Sequence, residues 1–178
     1  MDNRQAVIFC SASDTIDPKY NLAARELVRA LHALGFTVVS GGGKIGTMGA
    51  ITSESIQCGG HHVAVLPGFM KGLENPGLTD VVWTHTMSTR KEQMRLGCQV
   101  AIALPGGIGT LDEVIETLVL LKLHQWEGEI YLLNIDGFYN PLIALLDHYV
   151  TTHMMEPEDR ALVRVAQTPE ELLAMLKA

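Results

Sequence analysis

The sequence predicts an α/β fold: a doubly wound, mostly parallel sheet of about seven strands with helices on both faces. Three observations carry this. Short β-rich apolar runs alternate with helical patterns along the chain. Several of those runs, IFC, VAVL, AIAL and YLLNI, are almost continuously apolar, as strands covered on both faces must be. The glycine clusters fall between a strand end and a helix start, where Rossmann-like sheets hold their ligands.

In chain order, the predicted strands are Ala6–Cys10, Phe36–Ser40, His62–Leu66, Val81–His85, Val100–Leu104, Ile130–Asn134 and Val163–Ala166. Asn21–Leu34 reads as a helix because Leu22, Leu27, Leu31 and Leu34 recur at helical spacing. Met48–Gln57, Arg90–Gly97, Leu111–Leu123 and Pro141–Thr151 follow. The last helix opens with Thr168 as N-cap, Pro169 at its first position and Glu171 completing a capping box. In LLNIDGFYNPL, Asn140 is expected to cap a helix beginning at Pro141. Pro67–Gly77 is the one long loop. No linker, repeat or low-complexity tract appears, so residues 1–178 are expected to form a single domain.

Composition narrows the function. The chain has 178 residues, 47% hydrophobic and 19% charged, with a net charge of −7. An acidic chain is not expected to track a nucleic-acid backbone, which needs clustered Lys and Arg. One small phosphate remains compatible, since a few backbone N–H groups can hold it. Cys10, Cys58 and Cys98 are odd in number and form no C-x-x-C, so they read as buried reduced thiols of a cytoplasmic protein. The start, MDNRQAVIFC, reads as a strand rather than a signal peptide. No apolar run reaches the ~18 residues of a membrane span.

The loop after Ser40 contains Gly41, Gly42, Gly43, Gly46 and Gly49 and formally matches G-x-G-x-x-G. A dinucleotide site also wants an acid at the end of the next strand, and that strand ends AVLPG, so NAD is not expected. Left-handed turn glycines or ligand contact would each explain the cluster. The loop Pro105-Gly106-Gly107-Ile108-Gly109-Thr110 is the sharper signal. Its glycines open the backbone, and a helix beginning near Thr110 would aim free N–H groups and its positive dipole end into the loop. A phosphate monoester suits that arrangement, and so does a plain βα turn.

Glu113 has two readings. Thr110-x-x-Glu113 matches a capping box, and a carboxylate one turn from a bound 5′-phosphate would lie near the ribose, able to orient water and stabilise positive charge at C1′. Asp112 and Glu116 are neighbouring acids, and Glu116 could support or mimic Glu113. Arg90 and Lys91, at an expected helix start, oppose the helix dipole, a cost that a nearby anion would offset. The seven histidines form no chelating pattern, and neither H-E-x-x-H nor G-x-S-x-G occurs, so no metal and no serine triad is expected.

Gly-Gly-Gly-x-x-Gly-x-Met-Gly (Gly41–Gly49), Arg90-Lys91 within MSTRKEQM, Pro-Gly-Gly-x-Gly-Thr-x-x-Glu (Pro105–Glu113) and LLNIDGFYNPL occur in that order. On these motifs the chain resembles the LOG ("Lonely Guy") family of cytokinin riboside 5′-monophosphate phosphoribohydrolases, from Val7 to the last helix. The resemblance implies a Rossmann-like homodimer that cleaves cytokinin riboside monophosphates or AMP to free base and ribose 5-phosphate, with no cofactor. It implies that Glu113 and Arg90 are catalytic and that Gly106, Gly107, Gly109 and Thr110 bind the phosphate. Lys91, Gly43, Met87 and Ser13 are expected to join the substrate contacts. The older description of such proteins as lysine decarboxylases finds no Schiff-base lysine signature here.

Three stretches depart from the family pattern, among them the early C-G-S-S, which reads Cys10-Ser11-Ala12-Ser13. Ser88 and Thr89 stand where His and Glu are common, and Gln99 stands where Asp is common. These changes spare Arg90 and Glu113 and are expected to bear on the base rather than on the bond cleaved. A non-catalytic nucleotide carrier is the second reading: it needs the same loops but not Glu113.

Overall fold

The structure is a computed structural model and describes residues 4–177. Met1, Asp2 and Asn3 of the predicted N-terminal run, and Ala178, lie outside them. The strands are β1 (Gln5–Phe9), β2 (Thr37–Ser40), β3 (His62–Pro67), β4 (Asp80–Thr84), β5 (Val100–Ala103), β6 (Glu129–Leu133) and β7 (Val163–Ala166). The helices are α1 (Pro18–Ala33), α2 (Gly46–Gln57), α3 (Met87–Arg95), α4 (Ile108–Lys122), α5 (Asn140–Thr151), α6 (Pro157–Ala161) and α7 (Pro169–Met175).

The strands form one seven-stranded sheet in the order β4-β3-β2-β1-β5-β6-β7. Every recorded pairing is parallel. The chain winds outward from β1 to β4, returns to place β5 beside β1, and winds outward again. The crevice at the carboxyl ends of β1 and β5 is therefore the topological switch point, the place where open α/β sheets bind ligands.

The strand period of two divides the core. Ala6, Ile8 and Cys10 face Leu27, Val28 and Leu31 of α1, Ile51 of α2 and Leu172 of α7. Val7 and Phe9 face the opposite layer, with Met94 of α3, Val114 and Leu118 of α4 and Leu146 of α5. Burial of both strand faces explains why the strand sequences are nearly all apolar.

Three sequence expectations need correcting, and one short helix was not expected. Cys58 is exposed at the end of α2, whereas Cys10 and Cys98 are buried. α6 is a single short turn of helix, with too few residues to show an apolar period. Asn140 does not cap α5: it is the first helical residue, after Tyr139, and its Oδ1 accepts from Asn134 Nδ2 at 2.9 Å. Thr168 Oγ1 does accept from Glu171 N at 3.2 Å, but the Glu171 carboxylate takes the N–H of Gln167, one residue before the cap. No helix among the described residues is long and apolar enough to cross a membrane.

Candidate active site

Five segments meet above the switch point: the turn after β1, the start of α2, the 3₁₀ turn after β3, α3 and the start of α4. They enclose a cavity of about 360 Å³ lined by Ser11, Ser13, Arg90, Thr110 and Glu113, together with the methionines Met48, Met70 and Met87. That volume lies within the ~300–1,000 Å³ usual for small-molecule sites.

α4 begins two residues before Thr110. Its N-cap is Gly107, with no side-chain cap, and its first bond runs from Leu111 N to Gly107 O at 3.1 Å. The N–H groups of Ile108, Gly109 and Thr110 precede that bond and have no partner within the helix. A Cβ at Gly107 or Gly109 would meet nothing within 4 Å, and neither glycine has a positive φ. Protein packing does not require glycine at these two positions; the bare backbone leaves room over the helix start. Gly106 differs, because a Cβ there would strike the Thr110 side chain and reach Ser11 N at 3.1 Å. Its role is to let the turn close against β1.

Arg90 and Glu113 form the floor. Arg90 Nη1 donates to Glu113 Oε1 at 2.9 Å, with both side chains buried, and Arg90 Nε donates to Val65 O at 3.0 Å. Glu113 Oε2 has no hydrogen-bond partner among the described residues. Burial pushes the Glu113 carboxyl above its ordinary value, and the Arg90 guanidinium pulls it back. The glycine turn makes room for this pair: a Cβ on Gly41 would collide with Arg90 Nη2. Gly46, at φ +61°, lies so close to the Ser13 backbone that a Cβ would overlap it. Close approach thus explains Gly41, against Arg90, and Gly46, against the β1 turn, while Gly42 and Gly46 also take the positive φ of left-handed turn residues.

The capping reading of Glu113 is corrected by this geometry. Thr110 is the third helical residue and Glu113 the sixth, so neither caps α4. Arg90 is likewise not at a helix start. α3 is capped by Thr86, whose side chain and Thr89 form a reciprocal capping box, and Arg90 is one turn farther in. Lys91 does not reach the cavity: its Nζ lies 2.8 Å from Asp112 Oδ2 and 2.8 Å from Glu116 Oε2. Glu116, also facing Arg95 at 3.4 Å, belongs to that outer network and does not duplicate Glu113. These carboxylates, rather than a ligand, offset the charge of Lys91.

Of the predicted site residues, Ser13, Met87, Arg90, Gly107, Gly109, Thr110 and Glu113 share the cavity wall, whereas Gly43, Lys91 and Gly106 do not. Gly43 bridges to Glu74 and backs Met48. Ser11, Met48 and Met70 were missed. Ser11 follows a strand end that faces the ligand side of the sheet, and Met48 lies inside the glycine motif, so position alone could have flagged them. Met70, in the 3₁₀ turn Gly68–Met70 after β3, gives no such signal. Of the departures from the family pattern, Ser11 and Ala12 line the cavity, whereas Ser88, Thr89 and Gln99 do not. Thr89 completes the Thr86 capping box of α3, Ser88 lines a separate groove with Arg95 and Trp126, and Gln99 bonds Gln5 N and Gly97 O at 2.8 Å each.

A family model described as possible lysine decarboxylase matches residues 48–176. The chain belongs to this family. Among its relatives is LOGL6 of Oryza sativa subsp. japonica, named a probable cytokinin riboside 5′-monophosphate phosphoribohydrolase. It is 36% identical over 98% of this chain and 71% of its own length. LOG5 of Arabidopsis thaliana, named a cytokinin riboside 5′-monophosphate phosphoribohydrolase, is 32% identical over 98% of this chain and 78% of its own length. These names agree with the LOG resemblance. Among solved structures, the molybdenum cofactor binding protein of Rippkaea orientalis superposes with a TM-score of 0.75 at 21% identity, covering 99% of this chain and 97% of that one. The Moco carrier protein of Chlamydomonas reinhardtii gives 0.74 at 21% identity, over 98% of this chain and 96% of that one. The likeness to these two shows the fold that this LOG-family chain shares with carriers.

Proposed function

We propose that the chain hydrolyses the N-glycosidic bond of a nucleoside 5′-monophosphate, releasing free base and ribose 5-phosphate. The observation that carries this reading is the buried Arg90–Glu113 pair, set one helical turn below an open, glycine-flanked helix start. The phosphate sits over the N–H groups of Ile108, Gly109 and Thr110, assisted by the Thr110 and Ser13 hydroxyls. Phosphate binding then holds C1′ near Glu113. The C1′–N bond breaks with its electron pair on the base, a water oxygen bonds to C1′, and the proton that this water loses ends on the departing base. Glu113 Oε2 orients that water and faces the positive charge developing at C1′. Arg90 keeps Glu113 ionised despite its burial and fixes its direction. The names of the relatives support this reaction class and point to cytokinin riboside monophosphates among its substrates.

The fold shared with cofactor carriers favours one second reading, binding without turnover. A carrier needs the helix start and the cavity but has no use for a buried carboxylate held by arginine. Incubation with AMP and with isopentenyladenosine monophosphate, with free base and ribose 5-phosphate followed by chromatography, separates the two. Release of both products that is lost in Glu113→Gln supports hydrolysis. Binding without release supports the carrier.

We further propose that the homodimer implied by the family resemblance is seated on the outer face of α4. Ile108, Leu111, Ile115 and Val119 recur there at helical spacing and are exposed, Ile108 by 83%. An apolar groove of about 480 Å³ runs from this stripe to Leu142 and Leu145 of α5. Ile108 also stands at the mouth of the cavity, which places a partner chain beside the site.

A further inference from the structure

We infer that the site selects its nucleotide by the phosphate and by apolar contact with Met48, Met70 and Met87, leaving the hydrogen-bonding edge of the base unread. The inference rests on the proposed phosphate position over α4. With the phosphate there and C1′ at Glu113, the cavity wall left for the base is the one built by these three methionines. They come from three separate elements: α2, the 3₁₀ turn after β3, and α3.

The polar side chains of the cavity are committed elsewhere. Arg90 and Glu113 hold each other at 2.9 Å. Ser11 Oγ accepts from Ser13 N at 3.1 Å, and Ser13 Oγ lies 2.9 Å from Thr15 Oγ1, on the phosphate side. Thr110 packs against Gly106 in the same turn. No Asn, Gln, Asp or Lys side chain lines this cavity among the described residues, so no side-chain amide is there to pair donor and acceptor with a purine edge. Methionine offers a flexible, polarisable surface that adapts to rings and alkyl chains of different outline. Ser88 and Thr89, where the sequence departs from its family, do not touch this wall.

Two quantitative consequences follow. A site that hydrogen-bonds a substrate group rejects the analogue lacking it by about 10⁴–10⁵, whereas apolar pockets discriminate by about 10–200-fold. AMP, IMP and GMP, which differ only in edge groups of the purine, should therefore differ in kcat/KM by no more than about tenfold. An apolar N6-substituent should raise kcat/KM over AMP by about tenfold or more. Adenosine, lacking the phosphate, should be turned over poorly or not at all.

The test measures kcat/KM for AMP, IMP, GMP, isopentenyladenosine monophosphate and adenosine in wild type, Met70→Gln and Met87→Gln. Dissociation constants for the same ligands are taken by calorimetry. Met70 and Met87 lie at the rim, so glutamine there keeps the volume without opening the core. The expected result is a flat series across the three purines, and an isopentenyl-to-AMP ratio that falls about fivefold or more in both variants. A difference of about a thousandfold among AMP, IMP and GMP, or a ratio unchanged in both variants, overturns the inference. If no ligand is turned over, the hydrolase reading fails on its own, and the ratios of dissociation constants decide the methionine wall in its place.

Discussion

Arg90 Nη1 and Glu113 Oε1 lie 2.9 Å apart, in a pair whose side chains are 7% and 5% exposed. The two residues are held from different layers of sequence: Arg90 from α3, with its Nε on Val65 O of β3, and Glu113 from the second turn of α4. Breaking a buried pair by deleting one member costs about 3–5 kcal/mol, because the remaining charge is left uncompensated. A carboxylate buried beside a ligand-sized cavity is a candidate for a functional group. Stability alone would be as well served by apolar residues of the same volume.

Glu113→Gln keeps an oxygen for Arg90 but cannot carry charge. The variant should melt cooperatively, while hydrolysis of AMP falls by about 10²–10⁴. If hydrolysis needs the carboxylate, activity should drop as pH falls, with its midpoint above the ordinary carboxyl value of 4.5, because burial raises Glu113. Base release and a pH profile of kcat check both points. Turnover of Glu113→Gln near that of wild type would remove Glu113 from the mechanism.

The two glycine loops should respond oppositely to alanine. Gly41→Ala drives a methyl group into the Arg90 guanidinium, so it should cost about 1–3 kcal/mol and disturb the pair. Gly109→Ala meets open space at the second position of α4 and should leave stability unchanged or raised by about 0.4–1 kcal/mol. Its effect should appear in phosphate binding, as a raised KM. Denaturant melts and steady-state kinetics on the pair of variants separate a packing role from a ligand role. A KM unmoved in Gly109→Ala would detach the phosphate from this helix start.

If α4 carries the interface, a charge placed in its apolar stripe should split the assembly. Val119→Lys, two turns from the cavity lining, should give monomers by sedimentation at concentrations where wild type is dimeric. An exposed side chain tolerates lysine in the monomer, so the fold should persist. Identical sedimentation of both proteins would place the interface elsewhere, or show that there is none.

Most of the fold was legible because both strand faces are buried. Runs such as VAVL and AIAL have few alternatives in a chain punctuated by glycine, and the strand predictions lie within a residue or so of the observed ends. The glycine-flanked helix start after β5 was legible because its signals are local. What escaped depends on how α3 crosses α4. Lys91 looks like an anion ligand beside Arg90, yet one residue of helical rotation turns it toward Asp112 and Glu116 instead of the cavity. Thr110 and Glu113 have capping-box spacing, but glycine started the helix two residues earlier. The contact between Gly41 and Arg90 spans two motifs that no local rule connects.

Acid should destabilise the protein through His62. This histidine is buried at the start of β3, with Nε2 2.8 Å from Ser40 Oγ and Nδ1 without a partner. Ser40 Oγ in turn accepts from Gly42 N at 3.1 Å, so the pair supports the glycine turn that shelters Arg90. Burial lowers the His62 pKa from 6.5 to about 4, with His32 and His61 adding repulsion. In the unfolded chain the ring takes its proton near 6.5, whereas in the folded protein it resists until about 4. The stability contributed by the neutral ring is therefore complete above about 6.5 and is lost as pH falls toward about 4, a loss on the order of 3 kcal/mol. His62→Gln removes the titration but can still meet Ser40. Melting curves of both proteins between neutral pH and about 4 should converge on acidification, with wild type losing more. Parallel curves would mean that His62 does not carry the acid sensitivity, which would then belong to the carboxylates and histidines that both proteins share.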